Sequence, residues 1–265
     1  MRHWLAEGRR DQVHQTRETA GLLPTARRKP FHFSDQAIES SKPTLGLSLL
    51  PVITFMPQLK LTYFDFHGGR AEPVRLALHL GGIAFEDHRF TFAGFAEVRK
   101  STPLGQVPTL MVNGEQVTQC DSILRYAGKL ASLYPTDPYQ ALLCDEVMYV
   151  VEEASVNLGP SFRMTGEAQR HARASLVNGS MPVYLAWLQR QLISHGGNYF
   201  ADNRLTIADL KVFVDVRGLN SGRLDHIPTD LVESVAPALN VHVQRIAQHP
   251  AVAQYYASFN AQNAI

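Results

Sequence analysis

The sequence predicts a two-domain chain: a small α/β domain over residues 57–133, a linker at 134–139 and an all-helical domain over 140–265. Three observations carry this. Two β-favouring runs flank a helical segment, giving a β-α-β start. An Asn-Gly step between two further β-rich runs marks a hairpin, and a helix follows it. Beyond a turn-rich break, apolar residues recur at spacings of three and four almost without interruption.

Taken in order, Leu59-Lys60-Leu61-Thr62-Tyr63 alternates apolar and polar residues and suits a strand. Gly68-Gly69 breaks it. From Ala71 to Leu80, Val74, Ala77 and Leu78 lie at helical spacing, with Pro73 tolerated in the first turn. Gly81-Gly82 stops the helix, and Ile83 to Phe90 reads as a second strand. Thr109–Val112 and Gln116–Thr118 flank Asn113-Gly114, a pair suited to the positive φ angles of a tight hairpin turn. Ile123, Leu124, Ala127, Leu130 and Ala131 then return to helical spacing. After Tyr134-Pro135-Thr136-Asp137-Pro138, residues such as Leu142, Val147, Val150, Val151, Val183, Trp187, Leu188 and Leu192 define the helical half.

Composition narrows the function classes. With 45% hydrophobic and 18% charged residues, the 265-residue chain has the make-up of a folded protein. Its 25 Lys and Arg against 24 Asp and Glu give a net charge of +1, which offers no field for a nucleic acid. No apolar run reaches the roughly 18 residues of a membrane span. Two cysteines, Cys120 and Cys144, make neither a disulfide framework nor a Cys-x-x-Cys site, and the 11 histidines are scattered, so no metal is predicted. Residues 1–55 carry eight Lys or Arg against five acids and lack periodicity. They read as disordered, or as an extension foreign to the natural protein. A transit peptide is the further alternative, although such peptides are poor in acids.

Four segments carry a family resemblance: Leu61-Thr62-Tyr63-Phe64, Arg70-Ala71-Glu72-Pro73-Val74-Arg75, Gly105-Gln106-Val107-Pro108-Thr109-Leu110 and Gln119-Cys120-Asp121-Ser122-Ile123-Leu124-Arg125-Tyr126. Together they resemble the cytosolic glutathione S-transferases, most closely the sigma-like, tyrosine-type members, over about residues 58–265. The resemblance implies the glutathione transferase two-domain fold, with a thioredoxin-like α/β N-terminal domain and an all-α C-terminal domain. It also implies glutathione as co-substrate, a small hydrophobic electrophile as second substrate, a homodimer, and a cytoplasmic role in detoxification. An organelle is the alternative location if residues 1–55 are a presequence.

The chemistry required is thiol activation. A free thiol titrates near 8.5, and lowering that by two units takes roughly 2.7 kcal/mol of preferential thiolate stabilisation. The resemblance gives this task to the hydroxyl of Tyr63, since a hydrogen bond to an ionised acceptor is about twice as strong as a neutral one. Family members have six steps from this Tyr to the Arg of Arg-Ala-Glu, whereas Tyr63 to Arg70 is seven. Anchoring on Arg70 would put Phe64 in the catalytic place. Anchoring on the strand keeps Tyr63 there and lets the glycine pair absorb the insertion, because a one-residue slip reverses every side chain of a strand.

The same resemblance implies further glutathione contacts. Gln106-Val107-Pro108 would be a cis-proline loop whose Val107 backbone meets the cysteinyl backbone of the ligand. Gln119 and Cys120, opening a helix, would receive the γ-glutamyl carboxylate. Cys120 stands where the family has serine, and is either a small buried space-filler or a thiol made acidic by the helix terminus. Arg99 would meet a glutathione carboxylate and Phe95 would be an aromatic partner of the same ligand, Arg70 would steer the thiolate, and Phe66 would line the electrophile cleft. Glu152 and Glu153 correspond to acids that reach the neighbouring subunit's glutathione. Thr206 and Asp209 form a capping box in the helical half. Alternatives to conjugation are a prostaglandin D synthase type isomerase, a non-catalytic glutathione-binding or crystallin-like protein, and a Cys120-based thiol-transfer enzyme.

Overall fold

The computed structural model describes residues 56–262, with side chains through residue 258. The expectations for residues 1–55 lie outside this range. The first domain contains β1 (Leu59–Phe64), α1 (Glu72–Leu80), β2 (Glu86–Phe90), the short α2 (Phe95–Val98), β3 (Thr109–Val112), β4 (Glu115–Val117) and α3 (Cys120–Leu130). Its mixed sheet runs β2-β1-β3-β4, with β1 and β2 parallel and the other pairs antiparallel. Leu59, Leu61 and Tyr63 alternate onto the buried side of β1 and join Val74, Leu78, Ile123 and Leu124 in the core. Asn113 (φ 51°) and Gly114 (φ 90°) turn the hairpin, as their residue types require.

The second strand begins later than the sequence suggests, at Glu86 rather than Ile83. The cause lies at the end of α1. Gly82, at φ 62°, lets the Ile83 N–H donate to Leu78 O (2.9 Å) and its own N–H to His79 O (3.0 Å). This is a Schellman closure, and it commits Ile83 to capping the helix before the chain can extend. The turns and α2 between residues 92 and 101 carry no sequence periodicity and were not expected.

The helical domain contains α4 (Pro138–Leu158), α5 (Gly166–Val177), α6 (Ser180–Ser194), α7 (Ile207–Asn220), α8 (Leu231–Val235), α9 (Pro237–Ala247) and α10 (Pro250–Gln262). The turn before α4 is shorter than the 134–139 expected, because Asp137 caps the helix by accepting the Gln140 N–H at 2.9 Å. Pro138 is thus the first helical residue, where its missing N–H costs nothing. Of the apolar residues whose spacing marks this half as helical, Leu142 and Val183 are exposed.

Helix α7 is the central post, buried from Ile207 through Val214. Its start is fastened to the first domain: Ile207 N–H donates to Leu133 O at 3.0 Å, and Gly128 of α3 leaves room for the Ile207 side chain. The Thr206–Asp209 capping box is present, with Asp209 accepting the Thr206 N–H at 2.8 Å. Among the described residues no helix is long and apolar enough to cross a membrane.

Candidate active site between the α/β and helical domains

Tyr63 is the next-to-last residue of β1, with its ring on the core side, 6% exposed. Its hydroxyl oxygen accepts the Arg70 N–H at 3.2 Å. Gly68 (φ 127°) and Gly69 (φ 67°) both adopt positive φ in the loop that leads from Tyr63 to Arg70. A Cβ on Gly69 would lie 2.6 Å from the Tyr63 oxygen, so only glycine allows this approach. Phe64 packs with Phe92 (4.6 Å between ring centroids), Phe90 (4.9 Å) and Phe95 (5.2 Å), and its ring lies edge-on to that of Tyr63 at 5.3 Å. It is the Tyr63 side chain whose polar end meets the Arg70 backbone. Phe66 lies beside Tyr63, with ring centroids 5.8 Å apart.

Burial pushes the Tyr63 phenol above its ordinary value, although the Arg70 N–H and the charges of Arg70 and Arg75 oppose this. The group thus keeps its proton near neutrality while its oxygen already holds an incoming N–H. Its own O–H remains available to donate. The Arg75 guanidinium lies 5.7 Å from the Tyr63 ring centre. Arg75 is fully buried and is held by Glu72 (3.3 Å), Asp87 (3.1 Å) and the carbonyls of Phe64 (3.3 Å) and Phe66 (3.2 Å). Burial works against ionisation of Glu72, but His67 and Arg75 outweigh it and hold the carboxyl below its usual range.

The second wall is the start of α3. Gln119, the residue before the helix, is exposed and adopts φ 73°, an uncommon conformation for a residue with a side chain. Cys120 is buried, and its Sγ donates to Glu152 Oε2 at 3.1 Å. Burial, reinforced by Asp121 and Glu152 against Lys211, pushes its thiol up to about 12. The acidic thiol considered for this helix start is thus corrected: two neighbouring carboxylates and desolvation overcome the helix terminus.

Glu152, on α4, also accepts from Arg70 Nε at 2.8 Å and from Lys211 Nζ at 3.1 Å. Lys211, on α7, bonds Asp121 as well. The structure thus brings Tyr63, Arg70, Cys120 and Glu152 together, with Glu152 engaged inside its own chain. Glu153 instead faces outward and accepts the Tyr184 hydroxyl at 2.9 Å. One donor atom from each of Cys120, Asp121 and Glu152 falls within a 4.8 Å set, as metal ligands would, but the Lys211 ammonium bonds both carboxylates.

The remaining predicted residues lie on the loop before β3. The Val107–Pro108 peptide is cis. Val107 is half-buried and Gln106 exposed. Arg99 is exposed, with its guanidinium 5.6 Å from the Phe95 ring centre and near Gly105. A surface hollow of about 490 Å³ lined by Lys129, Tyr134 and Arg204 is separate from these groups. Sequence reasoning missed Lys211. The available signal was a single cation inside the apolar run Ile207-Ala208-Asp209-Leu210-Lys211-Val212-Phe213-Val214.

Comparison with known proteins agrees with this architecture. Residues 59–129 match the family described as glutathione S-transferase, N-terminal domain, and residues 158–259 that described as glutathione S-transferase, C-terminal domain. Glutathione S-transferase 1 of Ascaris suum is 32% identical over 161 residues, covering 59% of this chain and 78% of its own. Hematopoietic prostaglandin D synthase of Gallus gallus is 35% identical over 98 residues, covering 37% of this chain and 49% of its own. The structure of a prostaglandin synthase D of Nilaparvata lugens superposes with a TM-score of 0.68 at 27% identity, covering 76% of this chain and 98% of the other.

Proposed function

This chain belongs to the glutathione S-transferase family, and we propose that it joins the glutathione thiol to hydrophobic electrophiles as a sigma-like, tyrosine-type enzyme. The observation that carries the reading is the Tyr63–Arg70 hydrogen bond at 3.2 Å, which aims a protonated phenol while leaving its O–H unspent. Donated to the sulfur, that O–H favours thiolate over thiol, and the thiol proton passes to solvent. The thiolate then attacks an electrophilic carbon, a carbon–sulfur bond forms, and the leaving group departs with the bonding pair or a strained bond opens. Tyr63 retains its proton throughout and acts by hydrogen bonding.

In this reading Val107 presents its backbone to the cysteinyl unit, with Gln106 and Pro108 setting the loop. Arg99 and Phe95 serve the glycyl end, and Gln119 and Cys120 the γ-glutamyl end. Phe66, packed against Tyr63, supports an apolar electrophile beside the sulfur. A homodimer is part of the proposal: Leu142, Tyr149 and Val156 recur every seven residues on the exposed face of α4, an apolar stripe suited to a second copy. So is a cytoplasmic, detoxifying role.

The experiment is ultraviolet titration of bound glutathione in the wild type and in Tyr63→Phe. The variant thiol should titrate one to two units higher, with turnover falling roughly ten- to a hundredfold. Equal titration in both proteins removes Tyr63 from the chemistry.

A second reading, glutathione-dependent isomerisation, is favoured by the likeness to prostaglandin D synthases. Product analysis with a prostaglandin endoperoxide separates it from conjugation. The position of Tyr63 beside Arg70 speaks against the non-catalytic reading, and the high thiol pKa of Cys120 against thiol transfer.

A further inference from the structure

We infer that Lys211 is a positioning residue for glutathione recognition: its buried charge, acting through Asp121 and Glu152, lets a carboxylate dock at the start of α3. The inference rests on the proposal that the γ-glutamyl end binds there.

The first turn of α3 offers N–H groups without helical partners and the positive end of a helix dipole, a favourable setting for a carboxylate. Two side chains work against it. Asp121 sits in that turn, and Glu152 reaches it from α4 to accept from Cys120 Sγ at 3.1 Å. A ligand carboxylate arriving there would meet two anions, and like charges repel strongly where solvent is largely excluded. Lys211 removes the conflict. Its ammonium bonds Asp121 and Glu152, with the Lys211 and Asp121 side chains only 8% and 9% exposed.

Arg70 holds the outer oxygen of Glu152 at 2.8 Å, so Asp121 and Glu152 each have a cation on them. Ser155 and Asp215 continue the polar seam, the Ser155 hydroxyl lying 3.5 Å from Asp215. Lys211 is too deeply placed to be the ligand's principal contact. Its effect is to neutralise the floor beneath the carboxylate and to fix Glu152 where Arg70 and Cys120 meet it.

The test compares glutathione with its decarboxy analogue, γ-aminobutyryl-cysteinyl-glycine, in steady-state kinetics on four proteins. In Lys211→Met, KM for glutathione should rise at least tenfold while kcat at saturation stays within threefold. KM for the analogue, which has no α-carboxylate, should stay within threefold. Lys211→Arg should restore glutathione KM to within threefold of the wild type. Asp121→Asn, which leaves the cationic charge in excess, should bind glutathione at least as tightly as the wild type. Equal losses for both ligands, or unchanged glutathione KM, in folded Lys211→Met overturns the inference.

Where Lys211→Met fails to fold because its carboxylates are uncompensated, Asp121→Asn/Lys211→Met decides. That pair removes one charge of each sign and should keep glutathione KM within threefold of the wild type. A tenfold rise in the double variant, or more than a threefold rise in Asp121→Asn alone, overturns the inference. Failure of the wild type to turn over or bind glutathione would instead sink the functional reading itself.

Discussion

The Tyr63 hydroxyl and the Arg70 amide, seven residues apart in sequence, meet at 3.2 Å because Gly69 turns the chain back with φ 67°. A methyl group at Gly69 would have to occupy space 2.6 Å from the Tyr63 oxygen. Two penalties therefore coincide in Gly69→Ala: the left-handed backbone, at about 1 kcal/mol, and displacement of the phenol. Thermal melting should fall by several degrees and kcat at least tenfold. Measuring both separates local distortion from general unfolding, since unchanged kcat would show that the phenol position is immaterial.

Cys120 supplies a prediction of opposite character, an absence of reactivity. Its buried thiol, pushed up to about 12, should react with iodoacetamide at pH 7.5 far more slowly than the same residue in the urea-unfolded chain. Cys120→Ser replaces a weak donor with a stronger one at the same Glu152 oxygen. The variant should fold normally and lower KM for glutathione by about two- to fivefold, with conjugation intact. Loss of turnover in Cys120→Ser would revive the thiol-transfer reading.

What was legible in the sequence follows from the range of the forces involved. The β1–α1 unit, the Asn113-Gly114 hairpin and the Thr206–Asp209 cap depend on neighbours within a few residues, and their signals are local. The end of α1 shows the limit: Gly81-Gly82 announces a stop, but only the Ile83–Leu78 hydrogen bond fixes where the following strand may begin. Periodicity likewise found the helices without ranking their faces, and Leu142 and Val183, which share that spacing, are exposed. Lys211 marks the other limit. Its partners Asp121 and Glu152 lie 90 and 59 residues away, and no local pattern joins them.

Asp215 should make stability fall as pH rises from about 4 to 6. Burial pushes its carboxyl up to about 6, against the lowering influence of Lys211 and Ser155. Across that window the folded chain retains a proton that the unfolded chain has released, so each step upward favours unfolding, and the effect levels off above 6. Asp215→Asn should therefore match the wild type near pH 4 and exceed its stability at pH 7.5 by something on the order of 2 kcal/mol. Glu72 and Glu152, held below their usual range, give the opposite slope at lower pH, but they are common to both proteins and cancel in the difference. Urea unfolding from pH 4 to 8 checks this, and a difference that does not change with pH contradicts it.

Asp209 should prove the costliest single carboxylate to remove. It is fully buried and accepts four hydrogen bonds: from Phe200 N (3.1 Å), Thr206 N (2.8 Å), Thr206 Oγ (2.8 Å) and His242 Nε2 (3.0 Å). Those partners come from the loop before α7, from the cap of α7 and from α9, so one side chain fastens three parts of the helical domain. Asp209→Ala leaves several buried donors unmet and should cost about 3–5 kcal/mol. Thr206→Ala removes the cap hydroxyl alone and should cost about 1 kcal/mol. Because the Thr206 hydroxyl and the Asp209 carboxylate bond each other, the two losses should not add: the double variant should lie within about 0.5 kcal/mol of Asp209→Ala. Urea denaturation of the three proteins measures this. Simple additivity would mean that the cap and the cluster around His242 act independently, contrary to the shared carboxylate described here.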